Sequence, residues 1–155
     1  MMMEFALEAF TSELFAELRP VIDEHYAELA LAGAVNKPVL NPYFSLQDNG
    51  ILRVFVAREN GAAVGYAFFV VVRNPQYDNA LHAKQDLVFL SSAARRGFDG
   101  INFMKWCDDQ LAAEGVEVIY RHVNVDKPHD LLLLRLGYEL REMVYTRRVN
   151  LCAQV

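Results

Sequence analysis

The sequence predicts an α+β (mixed α/β) fold with one central mixed sheet flanked by helices. Three observations support this prediction: apolar runs with strand periodicity, apolar stripes with helical periodicity, and an Asn-Gly dipeptide between two strand-like runs. The predicted element order is β-α-(α)-β-β-β-α-β-α-β. Three antiparallel strands therefore precede a strand–loop–helix–strand crossover, which places strands of both orientations in one sheet.

The first third of the chain predicts one strand and one long helix. A short strand is indicated where Phe5, Leu7 and Ala9 alternate with Glu4, Ala6 and Glu8. Thr11-Ser12-Glu13 begins a helix whose apolar residues recur at helical spacing from Leu14 to Ala30. Pro20 is expected to kink or split that helix. Residues 34–50 are rich in Asn and Pro and predict a loop with one helical turn at most.

The middle of the chain predicts a hairpin followed by a third strand. Leu52–Glu59 and Ala62–Val72 are rich in β-branched and aromatic residues, and Asn60-Gly61 joins them. Asn-Gly between two such runs predicts a tight hairpin because both turn residues need a positive φ. A polar loop follows, and Leu81–Leu90 is the next predicted strand.

The last third predicts two helices that alternate with two strands. The first helix, from about Phe98 to Glu114, is expected to bury one stripe of Gly100, Phe103, Met104, Cys107 and Leu111. The other predicted elements are a strand at Val116–Val125, a short helix at Asp130–Leu136 and a strand at Tyr138–Val149.

Length and composition are those of a single globular domain spanning residues 1–155. Hydrophobic residues make up 54% of the chain, charged residues 23%, and the formal net charge is −5. An acidic balance argues against nucleic acid as a partner, since duplex binding needs a basic surface. The longest apolar run, Ala62–Val72, is well short of the roughly 20 residues that span a bilayer, so no membrane partner is expected. Cys107 and Cys152 form no paired motif, which favours a reduced, cytoplasmic protein, and the scattered histidines predict no metal site.

The loop between the predicted strand Leu81–Leu90 and the next helix has the composition of an anion-binding site. Ser91–Gly100 contains Arg95, Arg96, Gly97 and Gly100 directly before the helix. Unpaired N–H groups at a helix N-terminus and the helix dipole favour an anion there, and glycines allow a phosphate to approach the backbone. The alternative is an ordinary strand-to-helix turn with solvated arginines.

Arg95, Gly97 and Gly100 spell R-x-G-x-x-G, which resembles the acyl-CoA-binding motif of the GNAT superfamily in a variant typical of phage and prophage members. The commoner spelling places a glycine where this chain has Phe98. Three other segments also resemble the superfamily: His25–Ala30, Leu81–Asp86 and Leu132–Tyr138, the last ending in Leu-Gly-Tyr. Many members place a tyrosine general acid where this chain has Leu133.

The resemblance implies an acetyltransferase that uses acetyl-CoA and an amine acceptor, and family habit suggests a homodimer. It implies a V-shaped opening between the strands Leu81–Leu90 and Val116–Val125, in which the pantetheine arm lies. The implied cofactor-binding residues are Val88, Phe89, Leu90, Arg95, Arg96, Gly97, Phe98, Asp99, Gly100 and Ile101. The amine would attack the thioester directly, without a covalent enzyme intermediate.

Asp86 is the first candidate for a catalytic base or an anchor for the acceptor amine. Counting residues in twos places it on the same strand face as His82, Lys84, Val88 and Leu90. Many superfamily members carry a glutamate base on this strand, which would fall near Lys84. The alternative for Asp86 is a structural carboxylate held by hydrogen bonds.

Two histidines are the other catalytic candidates. His122 lies on the neighbouring predicted strand, and a histidine titrates in the range that suits proton transfer at neutral pH. His82 is the second, although both could be ordinary sheet histidines. His25 and Glu28, one helical turn apart, could line the acceptor mouth. Tyr138 and Tyr145 are candidates for a replacement acid, and packing in the sheet is the alternative for both.

Three functions agree with these features. The first is an N-acyltransferase. The second is a protein of the same fold that binds CoA without turnover, which the leucine at 133 and Phe98 favour. The third is an unrelated α+β interaction domain whose loop binds nothing.

Overall fold

The computed structural model describes residues 2–29 and 38–149. Its sheet has five strands in chain order: β1 (Met3–Glu8), β2 (Leu52–Glu59), β3 (Ala62–Asn74), β4 (Ala80–Leu90) and β5 (Val118–Tyr120). The pairs β1–β2, β2–β3 and β3–β4 are antiparallel, and the pair β4–β5 is parallel. The mixed sheet confirms the predicted α+β (mixed α/β) class.

Helices cover both faces of this sheet. Helices α1 (Ser12–Leu29) and α2 (Asn41–Asp48) pack on one face, against Val54, Tyr66 and Phe68 among others. Helix α3 (Asp99–Ala113) packs on the other face, and a short helix α4 (Asp130–Arg135) follows β5. None of the helices in the described ranges is long and apolar enough to cross a bilayer.

Two local patterns in the sequence are confirmed. Asn60 and Gly61 join β2 to β3 with φ values of 52° and 82°, as a tight hairpin turn requires. Helix α3 buries four of the five residues in the predicted stripe, namely Phe103, Met104, Cys107 and Leu111, whereas Gly100 in its first turn is only partly buried.

The helix that contains Pro20 is not split. Helix α1 is continuous from Ser12 to Leu29, and Pro20 lies on its exposed side. Ala30, the last residue of the predicted apolar stripe, and Cys152 lie outside the described residues.

Helix α2 is longer than the single turn that the Asn- and Pro-rich composition predicts. Pro42 lies in its first turn, where a missing N–H costs nothing. Phe44 then packs against Phe10 with ring centroids 5.1 Å apart, and Gln47 bonds the backbone of Phe10 through both its amide oxygen and its amide nitrogen. These contacts with the β1–α1 connection stabilise a helix whose own sequence favours it weakly.

Two strand predictions in the last third are corrected. The predicted strand Val116–Val125 pairs with β4 only over Val118–Tyr120, and the chain then forms a turn in which Asn124 accepts from the N–H of Asp126 at 2.8 Å. The predicted strand Tyr138–Val149 does not form, because no strand of the described sheet pairs with it. A strand pattern alone cannot supply the partner that its backbone groups need.

Candidate active site

The centre of the site is the point where β4 and β5 separate. Their parallel pairing consists of His82 with Val118, Ala83 with Ile119, and Lys84 with Tyr120. Strand β4 continues to Leu90, so its edge beyond Lys84 has no strand partner on the β5 side within the described part of the chain. This edge offers backbone donors and acceptors to an extended ligand, and it runs directly into the Ser91–Gly100 loop.

A β-bulge lies on β4 next to this point. Phe68 pairs with Leu87, whereas Phe69 pairs with Gln85, so Asp86 is the extra residue. A bulge shifts the alternation of side chains. Val88 therefore packs in the core on the α3 side, while Asp86 contacts α2 on the opposite side. The prediction that Asp86 shares a face with Val88 and Leu90 is wrong for this reason.

Asp86 is exposed, and its carboxylate is held by one side chain. The hydroxyl of Tyr43, on α2, donates to Oδ2 of Asp86 at 2.8 Å. Burial, and then the hydrogen bond to Asp86, raises the pKa of Tyr43 far above its ordinary value, so this hydroxyl remains a donor at neutral pH. Oδ1 of Asp86 has no hydrogen-bond partner among the described residues.

A buried polar cluster lies on the α3 side of β4. The Arg121 side chain has no exposed surface, and it bonds Gln85 on β4 at 2.9 Å and Asp108 on α3 at 2.7 Å. The Tyr138 hydroxyl accepts from Arg121 Nε at 3.0 Å and donates to Asp108 at 2.9 Å. Burial raises the pKa of Tyr138. Tyr138 thus ties the chain after α4 to α3, which is a structural role and not that of an acid open to a ligand.

His82 is buried, with 2% of its surface exposed. Its Nδ1 lies 3.2 Å from the Tyr120 hydroxyl and 3.3 Å from the Asn74 amide nitrogen, and its ring stacks on Tyr77. Its Nε2 is buried without a partner in the described ranges. His82 is therefore buried in the sheet, two residues before Lys84 on β4, and it is separate from the Asp86 carboxylate.

His122 is exposed in the segment after β5, and no hydrogen bond joins it to Asp86 or His82 within the described residues. The three catalytic candidates are therefore not assembled into one hydrogen-bonded group. The described residues also contain no cluster of three or more His, Cys, Asp or Glu side chains that could hold a metal ion.

Helix α1 holds the start of the loop that follows β4. Glu24 accepts from the Ser91 hydroxyl at 2.7 Å and from the Ser92 N–H at 2.8 Å. The Ser92 backbone bond, and then the Ser91 hydroxyl, lowers the pKa of Glu24. Leu90 is thereby linked through Ser91 to a fixed turn, the 3₁₀ helix Ser92–Ala94.

The two loop arginines are paired with glutamates. Arg95 bonds Glu28 of α1 at 3.0 Å and the Leu90 carbonyl at 2.7 Å, and its guanidinium lies over the Phe89 ring. Arg96 pairs with Glu59. Both arginines keep about half of their side-chain surface exposed, at 43% and 51%. The charges of the two arginines are thus partly offset by these glutamates. Glu28 holds the loop through Arg95 and is not part of an acceptor mouth.

The backbone after these arginines presents unpaired donors. Gly97 has a φ of 53°, in the left-handed region, which turns the chain into α3. The Asp99 N–H bonds the Arg96 carbonyl and the Asn102 N–H bonds the Phe98 carbonyl, whereas the N–H groups of Gly97, Phe98, Gly100 and Ile101 have no acceptor in the described part of the chain. A Cβ added at Gly97 or Gly100 would meet nothing within 4 Å, so no other part of the protein packs against the side-chain position of either glycine.

His25 packs beneath this loop instead of facing a ligand. Its ring stacks on Phe89 with centroids 4.6 Å apart, and its Nδ1 lies 2.6 Å from the Tyr66 hydroxyl. Burial lowers the pKa of His25 below its ordinary value of 6.5. The unfolded chain therefore binds this proton more readily, so the contribution of His25 to stability is present above pH 6.5 and is lost as the pH falls through the lowered pKa.

We expect the melting temperature to fall as the pH is lowered from about 7 to 5. We expect His25→Gln to reduce the slope of melting temperature against pH. Thermal denaturation at a series of pH values measures both. Some slope should remain in the variant, because burial also lowers the pKa of His129. A slope identical to that of the unchanged protein would contradict this role of His25.

Sequence reasoning missed two residues at this site. Tyr43 lies in a segment predicted as loop, and Glu24 lies on a helix face that its spacing marks only as polar. Nothing in the local pattern marks either of them, because each acts on a strand or loop more than 40 positions away, with separations of 43 for Tyr43–Asp86 and 67 for Glu24–Ser91.

No protein-family model matches the sequence, and no curated protein matches it. Solved structures do resemble it. An aminoglycoside acetyltransferase, meta-AAC0020, from an uncultured soil metagenomic sample superposes with a TM-score of 0.75 at 15% identity, covering 96% of this chain and 97% of that chain.

Two further solved structures, from named organisms, are similar. The ribosomal-protein-alanine N-acetyltransferase of Brucella melitensis biovar Abortus 2308 has a TM-score of 0.75 at 16% identity, with 97% and 99% covered. Glucosamine-6-phosphate N-acetyltransferase of Arabidopsis thaliana has a TM-score of 0.69 at 12% identity, with 95% and 99% covered. At these identities the likeness shows the fold alone, a mixed sheet flanked by helices that matches the fold of GNAT acetyltransferases.

Proposed function

We propose that this protein is an acyl-CoA-dependent N-acyltransferase that moves an acetyl group from acetyl-CoA to a primary amine of a small molecule or protein. One observation carries the proposal. Within the described residues, the edge of β4 beyond Lys84 has no strand partner on the β5 side, and the chain then passes through the short turn Ser92–Ala94 to four unpaired N–H groups at the start of α3. An extended arm ending in a pyrophosphate matches that combination, since the edge pairs with the arm and the helix start binds the anion.

In this proposal the pantetheine arm lies along the β4 edge and pairs with the backbone near Val88 and Leu90. The pyrophosphate contacts the N–H groups of Gly97, Phe98, Gly100 and Ile101. Arg95 and Arg96 add partly offset positive charge, and their main contribution is to hold the loop through Glu28 and Glu59. The remaining loop residue, Asp99, begins helix α3.

The reaction needs an amine nitrogen to attack the thioester carbonyl carbon. A C–N bond forms, the C–S bond breaks, and the CoA thiolate leaves and is protonated. Asp86 binds the incoming ammonium and takes its proton, directly or through water. Tyr43 keeps that carboxylate in place through its hydrogen bond. His122 and His82 are secondary candidates, since neither contacts Asp86.

CoA and acetyl-CoA should raise the melting temperature of the protein. A ligand that binds only the folded state stabilises it by RT ln(1 + [L]/Kd), roughly 2.7 kcal/mol at a hundred-fold excess over Kd. Differential scanning fluorimetry measures the shift, with adenosine as a control that lacks both pyrophosphate and arm. An unchanged melting temperature at saturating CoA would contradict the cofactor assignment.

A second candidate function is CoA binding without turnover. Leu133 stands where many superfamily members carry the tyrosine acid, and it is buried, with 8% exposed. Tyr138, the nearest substitute in sequence, is already bonded to Arg121 and Asp108. Thiol release from acetyl-CoA in the presence of an amine panel separates the two functions, because a binding protein would show the thermal shift without thiol release.

The proposal extends to the setting of the enzyme. We propose a phage- or prophage-type member that acts as one domain over residues 1–155 in the reducing cytoplasm, where the buried thiol of Cys107 stays unpaired. A homodimer is the assembly we propose, since Leu140, Met143, Val144 and Tyr145 after α4 expose apolar surface. Acetyl-CoA and the amine are its proposed partners, without nucleic acid, membrane or metal.

A further inference from the structure

A groove lies between α1, α2 and the bulged part of β4. It has a volume of about 380 Å³. Its apolar walls come from the helices, the segment before α2 and strand β3, and they include Tyr26, Val39, Pro42, Tyr43, Leu46 and Val70. Asp86 is the only charged residue among the described ones that line it.

The carboxylate in this groove has one oxygen available. Oδ2 of Asp86 accepts from Tyr43, whereas Oδ1 has no partner in the described ranges. The Tyr43 ring is fixed by Phe68 and Phe10, with ring centroids 5.4 and 5.5 Å away. Asp86 is therefore positioned to bind one ammonium group whose attached body lies against the apolar walls.

Resting on the proposed function, we propose that the acceptor is a small primary amine with a single positive charge and an apolar, preferably aromatic, body. Asp86 pairs with its ammonium group, and Tyr26 and Tyr43 offer ring faces to its body. A volume near 380 Å³ suits a small molecule.

The same arrangement disfavours a polycation. A second ammonium group would find no second carboxylate among the described residues that line the groove, so it would gain no matching ion pair there. Specificity therefore comes from one favourable charge and from the missing counter-charge for any further one.

Thiol release from acetyl-CoA tests this choice with four acceptors at matched concentrations: 2-phenylethylamine, ethylamine, spermidine and a peptide that begins with phenylalanine. Burial of a phenyl group predicts a kcat/KM for 2-phenylethylamine roughly thirty-fold or more above that of ethylamine. Equal or faster turnover of ethylamine, spermidine or the peptide would overturn the acceptor class and leave the acyltransferase function standing.

A variant pair tests the groove itself. Val70→Phe should lower kcat/KM for 2-phenylethylamine at least ten-fold and should lower kcat/KM for ethylamine much less, because the new ring occupies the space for the body of the acceptor. Val72→Phe, on the same face of β3 but outside the groove, is the matched control. Equal effects of the two variants would overturn the location.

Calorimetry of 2-phenylethylamine with the protein saturated in CoA separates the two proposals. Binding that Val70→Phe removes, without thiol release from acetyl-CoA, would support the groove and contradict acyl transfer. If 2-phenylethylamine neither binds to the protein nor supports thiol release from acetyl-CoA, the acceptor proposal is overturned.

Discussion

We expect Gly100→Val to abolish the CoA-dependent rise in melting temperature while the protein stays folded. Gly100 lies in the first turn of α3 with an ordinary helical φ, and a Cβ there meets no protein atom within 4 Å. The branched side chain would instead occupy the space in front of the unpaired N–H groups, where the proposed pyrophosphate lies. The lost stabilisation is roughly 2.7 kcal/mol at a hundred-fold excess of CoA over the original Kd.

Gly100→Ala tests the same idea, because the stability of the CoA-free protein should rise while its response to CoA falls. Alanine in place of a helical glycine stabilises by roughly 0.5–1 kcal/mol, so this variant should melt higher without CoA and respond less to it. Ala113→Val, at the exposed far end of α3, controls for a branched residue in the helix. CoA affinity unchanged in Gly100→Val would remove the loop from the site.

Substitution at Gly97 is a poorer test of the same idea. Its φ of 53° strains any branched residue, so a loss of binding would not distinguish a blocked site from a distorted loop. Arg95→Ala should weaken CoA binding less than Gly100→Val does, because this arginine is half-exposed and already paired with Glu28.

The second large effect is expected at Asp86. Asp86→Asn keeps the shape and removes the charge that binds the ammonium and accepts its proton. Turnover should fall roughly a hundred-fold or more, in the usual range for an acid–base group. The thermal shift with CoA should be unchanged, because Asp86 lies on the α2 side of the sheet and not at the α3 N-terminus.

Two further variants identify the source of an effect at Asp86. Tyr43→Phe removes only the hydrogen bond to Oδ2, so it should lower turnover less than Asp86→Asn. His122→Gln tests the exposed histidine after β5. Near-normal turnover in Asp86→Asn combined with a large loss in His122→Gln would transfer the proton-accepting role to the histidine. If both variants kept their activity, solvent would remove the proton and catalysis would rest on positioning of the reactants.

Local chemistry of the chain was sufficient to predict much of this fold. The Asn60-Gly61 turn, the strands on either side of it and the buried stripe of α3 follow from residue conformational preferences and from side-chain periodicity. The loop before α3 was likewise visible, since glycines and arginines directly before a helical pattern are adjacent in sequence. These features depend on neighbours within one or two turns of the chain, and so the sequence by itself determined them.

The tertiary structure decided what depends on distant partners. The bulge at Asp86 arises from how β4 pairs with β3, and it reverses the face that alternation assigns to Asp86 relative to Val88. Pairing also decided that residues 138–149 form no strand in the described chain, although their pattern is typical of one. Tyr43 reaches Asp86, and Arg121 reaches Asp108, only after the sheet and helices have packed. The periodicity of side chains along a segment indicates whether that segment is a helix or a strand. Register, bulges and polar contacts between elements are set by the surfaces that meet on folding.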